Sequence, residues 1–234
     1  MSCGERKTYL QTFLTTKMFS EVVACSLSIV LIHHSPLVIV SQQPSPTPST
    51  EMLTRVQILT AMGVTAVVLL LVSRLWLLFD PTEMLPLEWA GGRSLLIGIV
   101  LGLGITAASA VAYRVWSAYR QSADFYLAMV IEPLTWTDLI WLGLLPGMSE
   151  ELLFRGVMLP AIGLTWFGIL VSSACFGVMH FSGNQHVSYV IWATIIGGVL
   201  SCSAVVTGSL LVPITAHITT NLVSAYLWKW DRGR

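Results

Sequence analysis

Six polar residues stand out in a sequence that is otherwise too apolar to solvate them: Glu150, Glu151, Arg155, His180, His217 and Asn221. Three ionised groups fall within the stretch Ser149-Glu150-Glu151-Leu152-Leu153-Phe154-Arg155. An acidic or basic side chain at the centre of a membrane helix costs about 2.5–3.5 kcal/mol, so such groups need partners and a purpose. On a helix Glu151 and Arg155 lie four apart on one face, acid first, the better orientation for an ion pair. Glu150 is turned about 100° from Glu151 and is left unpaired by that arrangement. One glutamate therefore reads as structural and the other as chemical.

Three helices would have to bring Glu150, His180, His217 and Asn221 to one buried, wet site, because intramembrane polar groups face the bundle interior and meet one another. A desolvated glutamate there can act as general base toward water. A histidine beside it can orient that water or protonate a leaving amine. His217 and Asn221, four apart on one face, can donate to a developing oxyanion. Alternatively Glu150, His180 and His217 could hold a divalent metal such as zinc, with an open position for water. Both routes end at hydrolysis of an amide. The common zinc-protease pattern HExxH is absent.

Each residue also has a plainer reading. His217 and Asn221 can be interhelical glue. Glu151 and Arg155 read first as a structural ion pair. His186, between Gln185 and Val187 in a polar turn, reads as a solvated loop residue.

Composition sets the environment. Only 10% of the 234 residues are charged, against about 25% in an ordinary soluble domain, and mean hydropathy is +0.76. The expectation is an all-α, polytopic membrane helix bundle of about 6–8 transmembrane or membrane-embedded helices, an integral membrane protein in contact with lipid. A formal net charge of zero gives no electrostatic case for nucleic acid. The four cysteines are scattered without a CxxC; Cys175 and Cys202 fall in apolar runs and read as small core residues.

Residues 1–51 read as a weakly structured extension. They hold a moderately apolar run, 19–40, interrupted by Glu21, His33, His34 and Pro36, and end in the linker SQQPSPTPST at 41–50. No convincing cleavage site makes the run a signal peptide. The working domain is expected over 52–234, with its motif core at 133–228. Spans are expected at 57–79, 94–113, 157–181, 187–206 and 209–228. Pro133 is expected to open a helix that kinks or restarts at Pro146-Gly147 with Ser149 as cap. Gly102 and Gly104 read as helix-packing positions rather than a nucleotide loop. The basic tail and the Arg114/Arg120 connection suggest the cytoplasmic face, and the acidic 80–92 loop the opposite one.

The motifs together resemble those of the CPBP intramembrane proteases, the family that includes type II CaaX prenyl endopeptidases and bacterial Abi proteins. EExxxR is Glu150-Glu151-Leu-Leu-Phe-Arg155, FxxxH is Phe176-Gly-Val-Met-His180, and HxxxN is His217-Ile-Thr-Thr-Asn221. The resemblance covers residues 133–228. It implies an intramembrane endopeptidase acting on a membrane-associated or lipidated protein, with the Glu150 position activating water together with His180. His217 and Asn221 would serve as further site residues, with Glu151 and Arg155 in support. It leaves a zinc-dependent and a metal-free glutamate mechanism both open. The rival expectations are a non-proteolytic scaffold or immunity-type protein with the same fold, and a small transporter using Glu150 and His180 as a relay.

Overall fold

The computed structural model describes residues 53–80, 82–89 and 92–233, and all the regular structure among them is helical. The extension, its linker and the His33-His34 pair lie outside the described residues. Helix α1 is Arg55–Phe79, α2 Arg93–Val115 and α3 Ser117–Ile131. The motif helix begins as α4, Leu139–Glu151, passes through a π-helical stretch, Leu152–Met158, and ends as α5, Leu159–Ile162. Then come α6 (Trp166–Val178), a short 3-10 turn (Asn184–His186), α7 (Val187–Thr207) and α8 (Leu211–Arg232).

Three stretches are long and apolar enough to cross a membrane: Arg55–Phe79, Arg93–Val115 and Asn184–Thr207. They coincide with three expected spans. Large side chains such as Val67, Leu71, Leu78, Leu96 and Val100 are exposed on them. In water such faces would be costly; against lipid they are the solvated surface, as expected of a helical membrane bundle.

The expected span 157–181 is in fact two helices. Gly163 takes φ +119°, and the Thr165 side chain accepts from the Gly168 amide to cap α6, so the chain reverses there. The last expected span, 209–228, is a helix of sufficient length but is not among the three apolar ones. It carries Thr215, His217, Thr219, Thr220 and Asn221, and it is screened by neighbours, packing against α2, α4 and α7.

Glycines let α8 be gripped this closely. A Cβ on Gly98 would lie 2.8 Å from the Val212 carbonyl, and one on Gly102 2.5 Å from that of Ala216. On α4, a Cβ on Gly143 would strike Leu222, and one on Gly147 would strike Ile218, each at 2.6 Å. Two glycine pairs at GxxxG spacing thus hold α8, and with it His217 and Asn221, against α2 and α4. Gly104 faces open space and plays no such part.

The entry to the motif helix also differs from expectation. Pro133 lies in a turn, and the helix begins at Leu139. Asp138 precedes it, with its carboxylate accepting from Arg55 Nε (2.7 Å), Arg55 Nη2 (2.8 Å) and the Thr135 amide (2.7 Å). This ties the start of α1 to the start of α4. Pro146 does not restart the helix either: α4 runs through it, and the Ser149 hydroxyl donates back to the Leu145 carbonyl at 2.7 Å instead of capping.

Candidate active site

Glu150 and Glu151 close the α-helical part of the motif helix, and the π-helical stretch follows at once. The Leu152 amide is shared between the Met148 and Ser149 carbonyls. Two carbonyls of the stretch take donors from elsewhere, that of Phe154 in addition to its own helical donor, the Leu159 amide. Ser172 donates to Phe154 at 2.9 Å, and the amide of Leu85, in the loop after α1, donates to Gly156 at 3.1 Å. Single π turns are common at functional sites. Here the turn carries Arg155 across from Glu151.

Arg155 and Glu151 are fully buried and paired at 2.8 Å, as the spacing predicts. Every guanidinium nitrogen has an acceptor. Nη1 donates to Glu151, Nη2 to the Gly197 carbonyl at 2.9 Å, and Nε to the Ser201 hydroxyl at 3.2 Å. Gly197 permits this approach, since a Cβ there would sit 3.2 Å from Nη2. Phe176 covers the guanidinium at 4.3 Å, a cation–π contact strengthened by burial.

His180 lies in the turn that closes α6. Its Nδ1 is 2.9 Å from the Phe176 carbonyl. A carbonyl can only accept, so Nδ1 carries the proton, and in the neutral ring Nε2 presents a lone pair. That Nε2 faces Glu150 Oε2 at 4.0 Å. The gap is too long for a direct hydrogen bond. Glu150 Oε2 is buried and has no hydrogen-bond partner among the described residues. Two acceptors thus face each other across a space that a donor on both sides, such as water, would bridge. The two side chains keep 17% and 11% of their surface, although Oε2 itself is sealed.

His217 is held by the other glutamate of the pair. Its Nδ1 donates to Glu151 Oε1 at 2.8 Å, the oxygen that also accepts from Arg155. Its ring meets Phe176 edge-on, with centroids 5.7 Å apart. Phe176 therefore touches all three motifs: Arg155, His180 and His217. Asn221 Nδ2 donates to the Leu142 carbonyl over a long 3.5 Å. Leu142 is the residue whose helical donor Pro146 removes, so Asn221 partly replaces a missing backbone amide.

Among the described residues no three His, Cys, Asp or Glu side chains gather into a set that could hold a metal. Glu150, His180 and His217 do not fit the zinc arrangement, because His217 is drawn to Glu151 rather than toward Glu150. The other correction concerns His186. It is buried, not solvated, because α3 supplies Phe125, whose ring stacks on it at 4.3 Å and 13°.

Sequence motifs alone did not point to two tyrosines beside the site. Tyr189 of α7 lies 6.2 Å, ring to ring, from His180, and Tyr126 of α3 stacks on Tyr189 at 4.7 Å.

The fold and site define a helical membrane protein with a buried glutamate–histidine centre. Comparison with known proteins supports the CPBP family: residues 132–223 match the family model described as type II CAAX prenyl endopeptidase Rce1-like. The chain is also 38% identical over 96 residues to the uncharacterized protein YpbD of Bacillus subtilis (strain 168). That match covers 41% of this chain and 48% of YpbD, so it spans about half of the relative. No solved structure matches the chain.

Proposed function

We propose that the protein is a multi-pass intramembrane endopeptidase that hydrolyses a peptide bond of a membrane-associated protein, lipidated CaaX-type substrates included. Residues 1–51 are an extension, and 52–234 form the protease domain. The observation that carries this reading is the unpartnered Glu150 carboxylate 4.0 Å from His180 Nε2.

Water held between these two acceptors donates one proton to Glu150 as its oxygen attacks the scissile carbonyl carbon, while His180 Nε2 accepts the other hydrogen bond. The tetrahedral intermediate then collapses with cleavage of the C–N bond. Glu150 returns its proton to the leaving amine, and the second water proton, first on the new carboxyl group, passes to that amine, giving one carboxylate and one ammonium. Glu151, held by Arg155, fixes His217 at the wall of the site. His217 Nδ1–H points to Glu151, so His217 donates to substrate only as the imidazolium. Asn221 keeps one amide proton for the site after its bond to Leu142.

The test is incubation of purified protein in detergent with lipidated and unlipidated peptides, read by mass spectrometry. Paired fragments whose masses sum to peptide plus water support the reading. No cleavage of any peptide, beside an intact fold, favours the scaffold alternative.

A further inference from the structure

Four polar atoms in and beside the centre are shut in. Glu150 Oε2, Ser182 Oγ and both ring nitrogens of His186 are sealed from solvent, and none has a hydrogen-bond partner among the described residues. A peptide bond must nonetheless come within reach of Glu150, so part of its cover has to move.

The path of the chain from His180 to Tyr189 marks out that part. Helix α6 ends at Val178, so His180 already stands in the connection to α7, with its Nε2 4.0 Å from Glu150 Oε2. The chain leaves the site there, takes φ +129° at Gly183 and makes the 3-10 turn Asn184–His186. It returns in the first turn of α7, where the Tyr189 ring lies 6.2 Å from the His180 ring. Residues 182–186 thus form a strap that starts and ends beside the Glu150–His180 pair. Beyond the strap α7 is fixed, since Ser188 Oγ donates to the Ala118 carbonyl at 2.8 Å.

The strap is held more lightly. The hydrogen bond from the His186 amide to the Gly183 carbonyl, at 2.9 Å, lies within it and travels with it. A Cβ on Gly183 would meet nothing within 4 Å, so no packing fixes the bend. What latches the strap is the His186 ring, stacked on Phe125 of α3 at 4.3 Å and 13°. Neither Ser182 nor His186 would give up a side-chain hydrogen bond on leaving this position, and both would gain partners in water.

We infer that residues 182–186 are a gate over the Glu150–His180 centre, latched by the His186–Phe125 stack, and that the gate swings out to admit the substrate. What it admits, a peptide, rests on the endopeptidase reading above; the gate itself does not.

The test follows the cover over Glu150. Wild type, Phe125→Ala and Phe125→Tyr in detergent are treated with a water-soluble carbodiimide and glycine methyl ester, and adducts at each carboxylate are followed by mass spectrometry. Exposed Glu132 is the internal reference. Maleimide labelling of half-buried Cys175 reports any loosening of the whole bundle. The expected result is modification of Glu150 about 2- to 10-fold faster in Phe125→Ala, the worth of one aromatic pair. Phe125→Tyr keeps the stack and should match wild type, with Glu132 and Cys175 rates equal in all three proteins. An unchanged rate at Glu150 overturns the gate, as does an equal rise at Cys175. On a peptide that wild type cleaves, KM in Phe125→Ala should fall by the same factor, because the open fraction has risen. Faster modification with unchanged KM overturns the claim that the gate admits substrate. If wild type cleaves nothing, the endopeptidase reading fails and the Glu150 rates still decide the gate.

Discussion

His217 Nδ1 and Arg155 Nη1 both donate to the same oxygen, Glu151 Oε1, each at 2.8 Å. A single carboxylate oxygen thus ties the last helix to the motif helix. Removing it strands a fully buried guanidinium, which costs about 3–5 kcal/mol. Glu151→Ala is expected to lower the melting temperature in detergent sharply, and Arg155→Met likewise. The double variant should be more stable than either single one, because no unpaired charge remains. A double variant that loses the sum of both would contradict the pairing.

The grip on α8 is testable at two glycines of one helix. Gly102→Val drives a side chain into the Ala216 carbonyl and Thr219, displacing the helix that holds His217 and Asn221. Cleavage should be lost in that variant. Gly104→Ala meets nothing within 4 Å and should keep full activity with a stability gain of about 0.5–1 kcal/mol. Melting curves and cleavage rates of the pair check both statements.

Asn221 does two separable jobs in this account. Restoring the backbone amide with Pro146→Ala supplies the donor that Leu142 lacks. It should recover about 1 kcal/mol of the stability lost in Asn221→Ala. Cleavage should stay low in that double variant, because the amide proton facing the site is still missing. Recovery of cleavage along with stability would leave Asn221 as helix support alone.

Asp138 gives the fold an acid-sensitive tie. Hydrogen bonds from Arg55 and Thr135 hold its carboxyl well below the usual carboxylate range. A depressed pKa contributes stability that is complete above the unfolded value of about 4 and is lost as pH falls through the folded value. Wild-type melting temperature should therefore fall below pH 4 more steeply than that of Asp138→Asn. Parallel curves would show that the tie between α1 and α4 contributes nothing.

Much of the site was legible from the chain. The Glu151–Arg155 pair, the free Glu150 and the approach of His180 to it follow from residue type and spacing, because few other polar groups compete inside the bundle. The packing role of Gly102 was legible too, whereas Gly104, read the same way, meets nothing. The break at Gly163 was not, although Gly163 and Thr165 carry ordinary stop and start signals. An apolar run reads continuously through them, since lipid and bundle core both accept apolar residues and leave no periodicity. The choice of Glu151 by His217 and the burial of His186 under Phe125 depend on which helices become neighbours. Spacing along one helix cannot reveal that. The π-helical stretch is of the same kind, since two of its carbonyls also accept from Ser172 and Leu85 elsewhere in the chain.

Metal removal separates the two hydrolytic routes. Since Glu150, His180 and His217 do not gather as ligands, cleavage should persist unchanged after dialysis against a chelator. Loss of cleavage restored by added zinc would show that substrate or membrane brings a ligand set together that the described residues alone do not form.

The central claim is that Glu150 activates the water, and the cleavage rate of Glu150→Gln beside wild type tests it most directly. Glutamine keeps the size of the side chain and the 4.0 Å gap to His180 but cannot take a proton. The account predicts a loss of about 10²–10⁴-fold in kcat with an unchanged melting temperature. Equal cleavage by the two proteins would contradict it.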